Sequence, residues 1–225
     1  MDRREMGDQT GHAETGENVR DIGASVLSIN VGLIQPLDVG LSSEGLQVES
    51  AIRKRSISSA SEGAIVEVKK LGFVGDEQAD ISVHGGLDKA VYLYPIEHYA
   101  WWRERRIEAG VAHADRLFEF GALGENLTTQ GVLETDLWVG DVLVIDEVRL
   151  RVEAPRSPCF KLNAVMGYRR AVKHMYLSGF AGVYLSVVQT GWVRAGSRIG
   201  LVQGRREESI GGMLDLRRSR ARREP

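Results

Sequence analysis

The segment Pro155-Arg156-Ser157-Pro158-Cys159-Phe160-Lys161-Leu162 carries the only thiol of the 225-residue chain. Its two prolines fix φ at their own positions and push Ala154 and Ser157 away from the α region, so the thiol is presented on a stiff, non-helical turn. Arg156 lies three residues before Cys159 and Lys161 two after it. Nearby positive charge favours the thiolate, the form that attacks electrophiles and ligates metals. The plainer alternative is a small buried hydrophobe, the usual fate of a lone cysteine. A second segment, His84-Gly85-Gly86-Leu87-Asp88-Lys89, follows a strand-like run over 79–83. Paired glycines allow positive φ and close backbone approach to a ligand. Successive N–H groups there can form an anion-binding nest, with Lys89 adding charge, and His84 can donate, accept or ligate. A hairpin turn with a strand-end histidine explains the same residues, and Walker spacing is absent. A third segment places Glu125 and Asn126 at a Gly-rich strand entrance, where they can hydrogen-bond a polar heterocycle or cap a turn.

These residues need elements to hold them. Short β-branched or alternating runs predict strands over 25–31, 64–70, 182–188 and 197–202. Segments 141–145 and 148–152 predict a hairpin turning at Asp146-Glu147. Pro95 suits a first helical turn, and Ile96, Tyr99, Trp102 and Arg103 follow at helical spacing to about Glu108. On that helix Tyr99 and Trp102 read as core. His98 shares a face with Trp102 and points to a site or to solvent. A second helix is predicted over about 163–177. Gly75-Asp76 and Gln78-Ala79-Asp80 read as a loop whose carboxylates are ligands or turn residues. Many short strands, 26 glycines and no βαβ alternation predict a mainly β barrel with a few peripheral helices.

Composition removes several classes of function. Lys and Arg number 29 against 31 Asp and Glu, a net charge of -2, which argues against a bulk nucleic-acid binder. One cysteine excludes an internal disulfide framework and a cysteine-held iron–sulfur or zinc cluster within the chain. No apolar run reaches membrane-spanning length, and the N-terminus lacks the apolar core of a secretory signal. The expectation is a soluble, cytoplasmic protein with no membrane partner. Residues 1–20 are polar and read as a disordered tail, 21–204 as one domain, and 205–225 as an Arg-rich C-terminal tail or solvated helix.

In order and spacing, the motifs at 71–80, 84–90, 94–99, 124–127, 140–141 and 155–162 resemble the MOSC (molybdenum cofactor sulfurase C-terminal) domain family, with the stand-alone bacterial members of the YiiM type nearest. The resemblance spans about 28–202. It implies a β-barrel and the molybdenum cofactor, a pterin dithiolene (molybdopterin) carrying a phosphate. Cys159 would be the metal ligand, and a soft thiolate suits such a metal. Arg156, Lys89, Gly85, Gly86, Glu125, Asn126 and Lys161 would bind the cofactor. His84 or His98 would supply protons. The implied activity is reduction of small N-hydroxylated compounds, with electrons from a separate electron-transfer protein. Two other readings stay open: a sulfur carrier that uses a Cys159 persulfide, and a non-catalytic module that binds a pterin or another anion. No pyridoxal-phosphate site is visible, so a sulfur carrier would accept sulfur without mobilising it from cysteine. The stretch 32–61 is longer and more Ser-rich than the family's usual connection, and no site residue is placed there.

Overall fold

A computed structural model describes residues 18–40, 45–79, 85–116 and 118–223. The N-terminal segment read as disordered lies outside these up to residue 17, and so does most of the strand-like run over 79–83. Seven strands close a barrel. They are β1 (Arg20–Val31), β7 (Val91–Pro95), β8 (Leu127–Gln130), β9 (Val142–Ile145), β10 (Val148–Pro155), β11 (Val183–Gln189) and β13 (Arg198–Val202). Their order is β13-β9-β10-β11-β7-β8-β1, and β13 pairs back to β1. The expected β-rich barrel is the fold.

β1 is long because it serves three neighbours. Arg20–Ser25 pairs with β13, Ser25–Ile29 with β8, and Ser28–Val31 with β4 (Arg55–Ser59), each antiparallel. Register shifts along all three pairings bend it around the barrel. β7 and β8 run parallel, and a parallel pair needs a crossover. Helix α1 (Tyr99–Glu108) supplies it, entered through a 3-10 turn at Ile96–His98. The predicted hairpin is β9–β10, with Asp146 at φ 49 in the turn. Two small sheets lie outside the barrel: β12 (Gly191–Arg194) with β5 (Ile65–Lys69) and β6 (Gly72–Phe73), and β2 (Gln35–Asp38) with β3 (Gln47–Ser50).

Inward-facing Ile29, Leu93, Leu127, Leu143, Leu150, Val152 and Leu185 fill the core, and Trp102 of α1 caps it. Tyr94 of β7 accepts from Trp102 Nε1 at 2.5 Å. The helix expected over 163–177 is two helices, α2 (Phe160–Met166) and α3 (Ala171–Ser178). Gly167, at φ 79, ends α2 in the left-handed region that a β-carbon disfavours. The Arg-rich segment forms α4 (Ile210–Ala221), with Ile210 and Leu214 buried and Ser209 accepting from the Gly212 N–H at its start. Among the described residues no helix is long and apolar enough to cross a membrane.

Candidate functional site

β10 ends at Pro155, beside Val183 of β11, and the chain then runs out of the sheet through Arg156 to Cys159. Cys159 is the half-buried N-cap of α2, at φ -120 and ψ 176. The expected non-helical backbone at the thiol is the observed one. Facing it is a partly enclosed cavity. Its wall carries the basic groups Lys54, Lys89, Arg156 and Lys161 against the acids Asp76 and Glu77. Tyr92, Tyr184, Asn126 and Gly124 complete much of the lining.

Arg156 is 6% exposed. Its Nη1 donates to Leu123 O at 2.5 Å and to the Tyr92 hydroxyl at 3.1 Å. Its guanidinium carbon lies 4.6 Å from the Tyr92 ring centroid. No carboxylate pairs with it among the described residues. Burial opposes its charge, while the hydroxyl oxygens of Tyr92 and Tyr184 and the Cys159 sulfur around it favour that charge, and its pKa is raised. It is therefore a fixed cation. Burial raises the pKa of both Tyr92 and Tyr184, so their phenols stay neutral.

Lys54 follows β3 and precedes β4. Its ammonium pairs with Asp76 Oδ1, and the two side chains are 8% and 6% exposed. Asp76 also accepts from the Gly32 N–H and from Asn126 Nδ2, each at 2.8 Å. Burial lowers the Lys54 pKa, and the Asp76 charge opposes that shift. Asn126 spends its amide on the wall. Its Oδ1 accepts from the Tyr92 N–H at 3.1 Å, and its Nδ2 reaches Asn30 O as well as Asp76. Gly124 sits at φ 85, and a β-carbon there would meet Ile52 Cγ1 at 2.9 Å, so the wall needs glycine at this point.

The structure thus brings Cys159, Arg156, Lys89, Lys161 and Asn126 to one cavity. Lys161 also donates to Glu49 O at 3.0 Å, and Lys89 lies 6.0 Å from the Tyr184 ring centroid. Gly85 and Gly86 stand behind Gln78, whose Oε1 accepts from the Gly86 N–H at 2.9 Å. His84 lies outside the described residues. Two expected residues are elsewhere. Glu125 turns inward and accepts from the Gly121 and Leu123 N–H groups, the Thr128 hydroxyl and the Tyr99 hydroxyl, so it holds the fold rather than lining the cavity. His98 is buried, stacked on Phe180 at 3.9 Å, with Nε2 2.8 Å from Glu134 Oε2. A proton source at the cavity therefore has no geometric support from His98. Sequence reasoning missed Lys54, which sits in the stretch left unassigned, and Tyr92 and Tyr184. Only the alternation of Ser56, Ser58 and their neighbours into a strand could have pointed to Lys54.

The stretch from β7 through the cysteine loop to β13 is matched, over residues 80–200, by the family model of the MOSC domain, and the chain belongs to that family. Within it the chain is of the YiiM type. The crystal structure of YiiM from Geobacillus stearothermophilus superposes with a TM-score of 0.64 at 30% identity, covering 86% of this chain and 83% of that one. The uncharacterized protein YflK of Bacillus subtilis (strain 168) is 38% identical over 178 residues, 79% of this chain and 73% of that protein. A protein named reductase from Gibberella moniliformis (strain M3125 / FGSC 7600) is 38% identical over 133 residues, 59% of this chain but 23% of its own length. The family is associated with the molybdenum cofactor.

Proposed function

We propose that this protein binds the molybdenum cofactor in the Cys159 cavity and reduces small N-hydroxylated compounds, taking electrons from a separate electron-transfer protein. One observation carries the reading. A buried guanidinium, Arg156, has no carboxylate partner among the described residues, and it lines the same cavity as the thiol. No carboxylate among the described residues neutralises this cation, and an anionic ligand entering the cavity would. A group that offers both an anion and a thiolate-loving metal suits this donor set. Cys159 Sγ would ligate the metal. Arg156, Lys89 and Lys161 would hold the phosphate and polar edge of the pterin. When bound, the cofactor would supply two-electron redox chemistry at the metal.

The residues of the chain do the rest. Tyr92 and Tyr184 keep one wall apolar and uncharged, which limits water. Cleaving an N–O bond to an amine and water consumes two electrons and two protons. With His98 outside the cavity, Lys54 is the candidate donor facing it, because burial makes its ammonium a readier acid than an exposed lysine. The resemblance to a named reductase over 59% of this chain supports the class of reaction.

The test is metal analysis of protein purified from cells that make the cofactor. Wild type should carry about one molybdenum per chain, and Cys159→Ala should carry almost none. Full loading in Cys159→Ala overturns the ligand assignment, and no molybdenum in wild type overturns the cofactor. A labile extra sulfur on Cys159 of metal-free protein, seen by native mass spectrometry, would favour the sulfur-carrier reading instead.

A further inference from the structure

The Arg-rich C-terminal helix has no part in the function proposed above, yet one of its side chains reaches the cysteine loop. Arg217 Nη1 donates to two successive carbonyls, Pro155 O at 3.0 Å and Arg156 O at 2.9 Å. These are the last two carbonyls before Ser157-Pro158-Cys159. Beyond Pro155 the loop has left the sheet, so its carbonyls have no ladder partner, and backbone acceptors away from water need one. Two prolines also remove two N–H donors from the segment. On the other side, the Arg156 N–H donates to Gly182 O at 3.2 Å. Arg156 is therefore gripped through its N–H from Gly182, just before β11, and through its carbonyl from α4.

α4 is itself anchored. The Ile210 N–H donates to Leu137 O at 3.0 Å, and Ile210 and Leu214 are buried. Arg218 Nη2 donates to Ser178 O, at the end of α3, at 2.7 Å. Arg217 is thus carried by a fixed helix rather than a loose tail. Its neighbours Arg220, Arg222 and Arg223 are exposed.

We infer that Arg217 is a positioning residue: its guanidinium ties the Pro155 and Arg156 carbonyls to α4, and so sets where the Arg156 side chain and the Cys159 thiol stand in the cavity. This gives the C-terminal helix a role at a site it does not line. The functional meaning rests on the proposed use of Cys159. The geometric claim does not, and it is tested on the full chain without cofactor.

The experiment compares wild type with Arg217→Met, Arg217→Lys and, as a surface control, Arg220→Met. Two readouts are taken: hydrogen exchange of the Arg156, Ser157 and Cys159 amides, and the second-order rate of Cys159 alkylation by iodoacetamide. Arg217→Met should speed loop exchange at least tenfold while β9, β10 and β13 amides keep their wild-type rates. It should also change the alkylation rate at least threefold. Arg217→Lys, which keeps a donor, should restore much of both, and Arg220→Met should change neither. The inference is overturned if Arg217→Met leaves the loop as in wild type. It is equally overturned if exchange rises uniformly over the molecule and Arg217→Lys does not restore it, which would mean that Arg217 only stabilises the fold. Absence of molybdenum in the wild type would overturn the proposed function and leave these readouts unaffected.

Discussion

Glu125 and Arg156 are both buried charges, and Leu123 lies between them, giving its N–H to Glu125 and its carbonyl to Arg156. They meet their hydrogen-bonding needs in opposite ways. Around Glu125 the protein has placed two backbone N–H groups and two hydroxyls on the carboxylate, leaving nothing for a ligand. Arg156 donates to a carbonyl and a phenol, both neutral, and faces a cavity with three other basic groups. His98 and Glu134 follow the Glu125 pattern, with Glu134 also accepting from the Gly182 N–H at 2.6 Å. Residue type does not separate a structural polar group from a functional one in this barrel. What separates them is whether their bonding capacity is spent inside the protein.

That contrast can be broken by substitution. Glu125→Ala should be the most damaging change, because it strands four donors in the core. Each stranded buried donor costs about 1–3 kcal/mol, so a loss of about 3 kcal/mol or more is expected in urea unfolding. Glu134→Ala strands His98 and the Gly182 N–H and should cost about 2–3 kcal/mol, with molybdenum content per folded chain unchanged. Arg156→Met replaces a buried cation that has no carboxylate partner among the described residues with an apolar side chain of similar reach. It should cost about 1 kcal/mol or less while molybdenum loading falls at least tenfold. If Arg156→Met unfolds the protein as Glu125→Ala does, the two charges are not different in kind.

The smallest effect is on pH dependence. Burial raises the Glu125 pKa above its ordinary value of 4.5, against the pull of its donors. The folded protein then holds this proton where the unfolded chain has released it. The Glu125 contribution to stability is full below about pH 4.5 and declines as pH climbs toward the folded-state pKa. Urea midpoints of the wild type should fall, relative to those of Glu125→Gln, over that rise in pH. A rising difference would mean that its donors outweigh burial.

Much of the fold could be read from local pattern. β9 and β10 alternate and carry their own turn, so the sequence places their starts within a residue, although β10 runs on to Pro155. β7 escaped notice because Val91–Pro95 is buried on every residue: core packs on one face, and α1 and the cavity wall on the other, which erases alternation. One helix was expected where Gly167 makes two, a break whose cause is a single left-handed residue. At the site, the cysteine loop was legible because prolines and flanking cations act locally. Lys54, Tyr92 and Tyr184 were not, because they come to one cavity only after β1 and β4 pair and β11 docks on β7 and β10. Glu125 and His98 misled for the complementary reason: their polarity is visible in sequence, but the partners that consume it are not.

The way β1 closes the barrel also bears on how the chain is made. Its Ser25–Ile29 half can pair once β8 has left the ribosome, but its Arg20–Ser25 half waits for β13, at residues 198–202. For most of synthesis that half is an open strand edge, ready to pair with another chain. Closure joins Arg20 to Leu201, a pairing of large sequence separation, the kind that forms late and slowly. That half of β1 is thus a strand edge of the barrel that stays uncovered until β13 has been made.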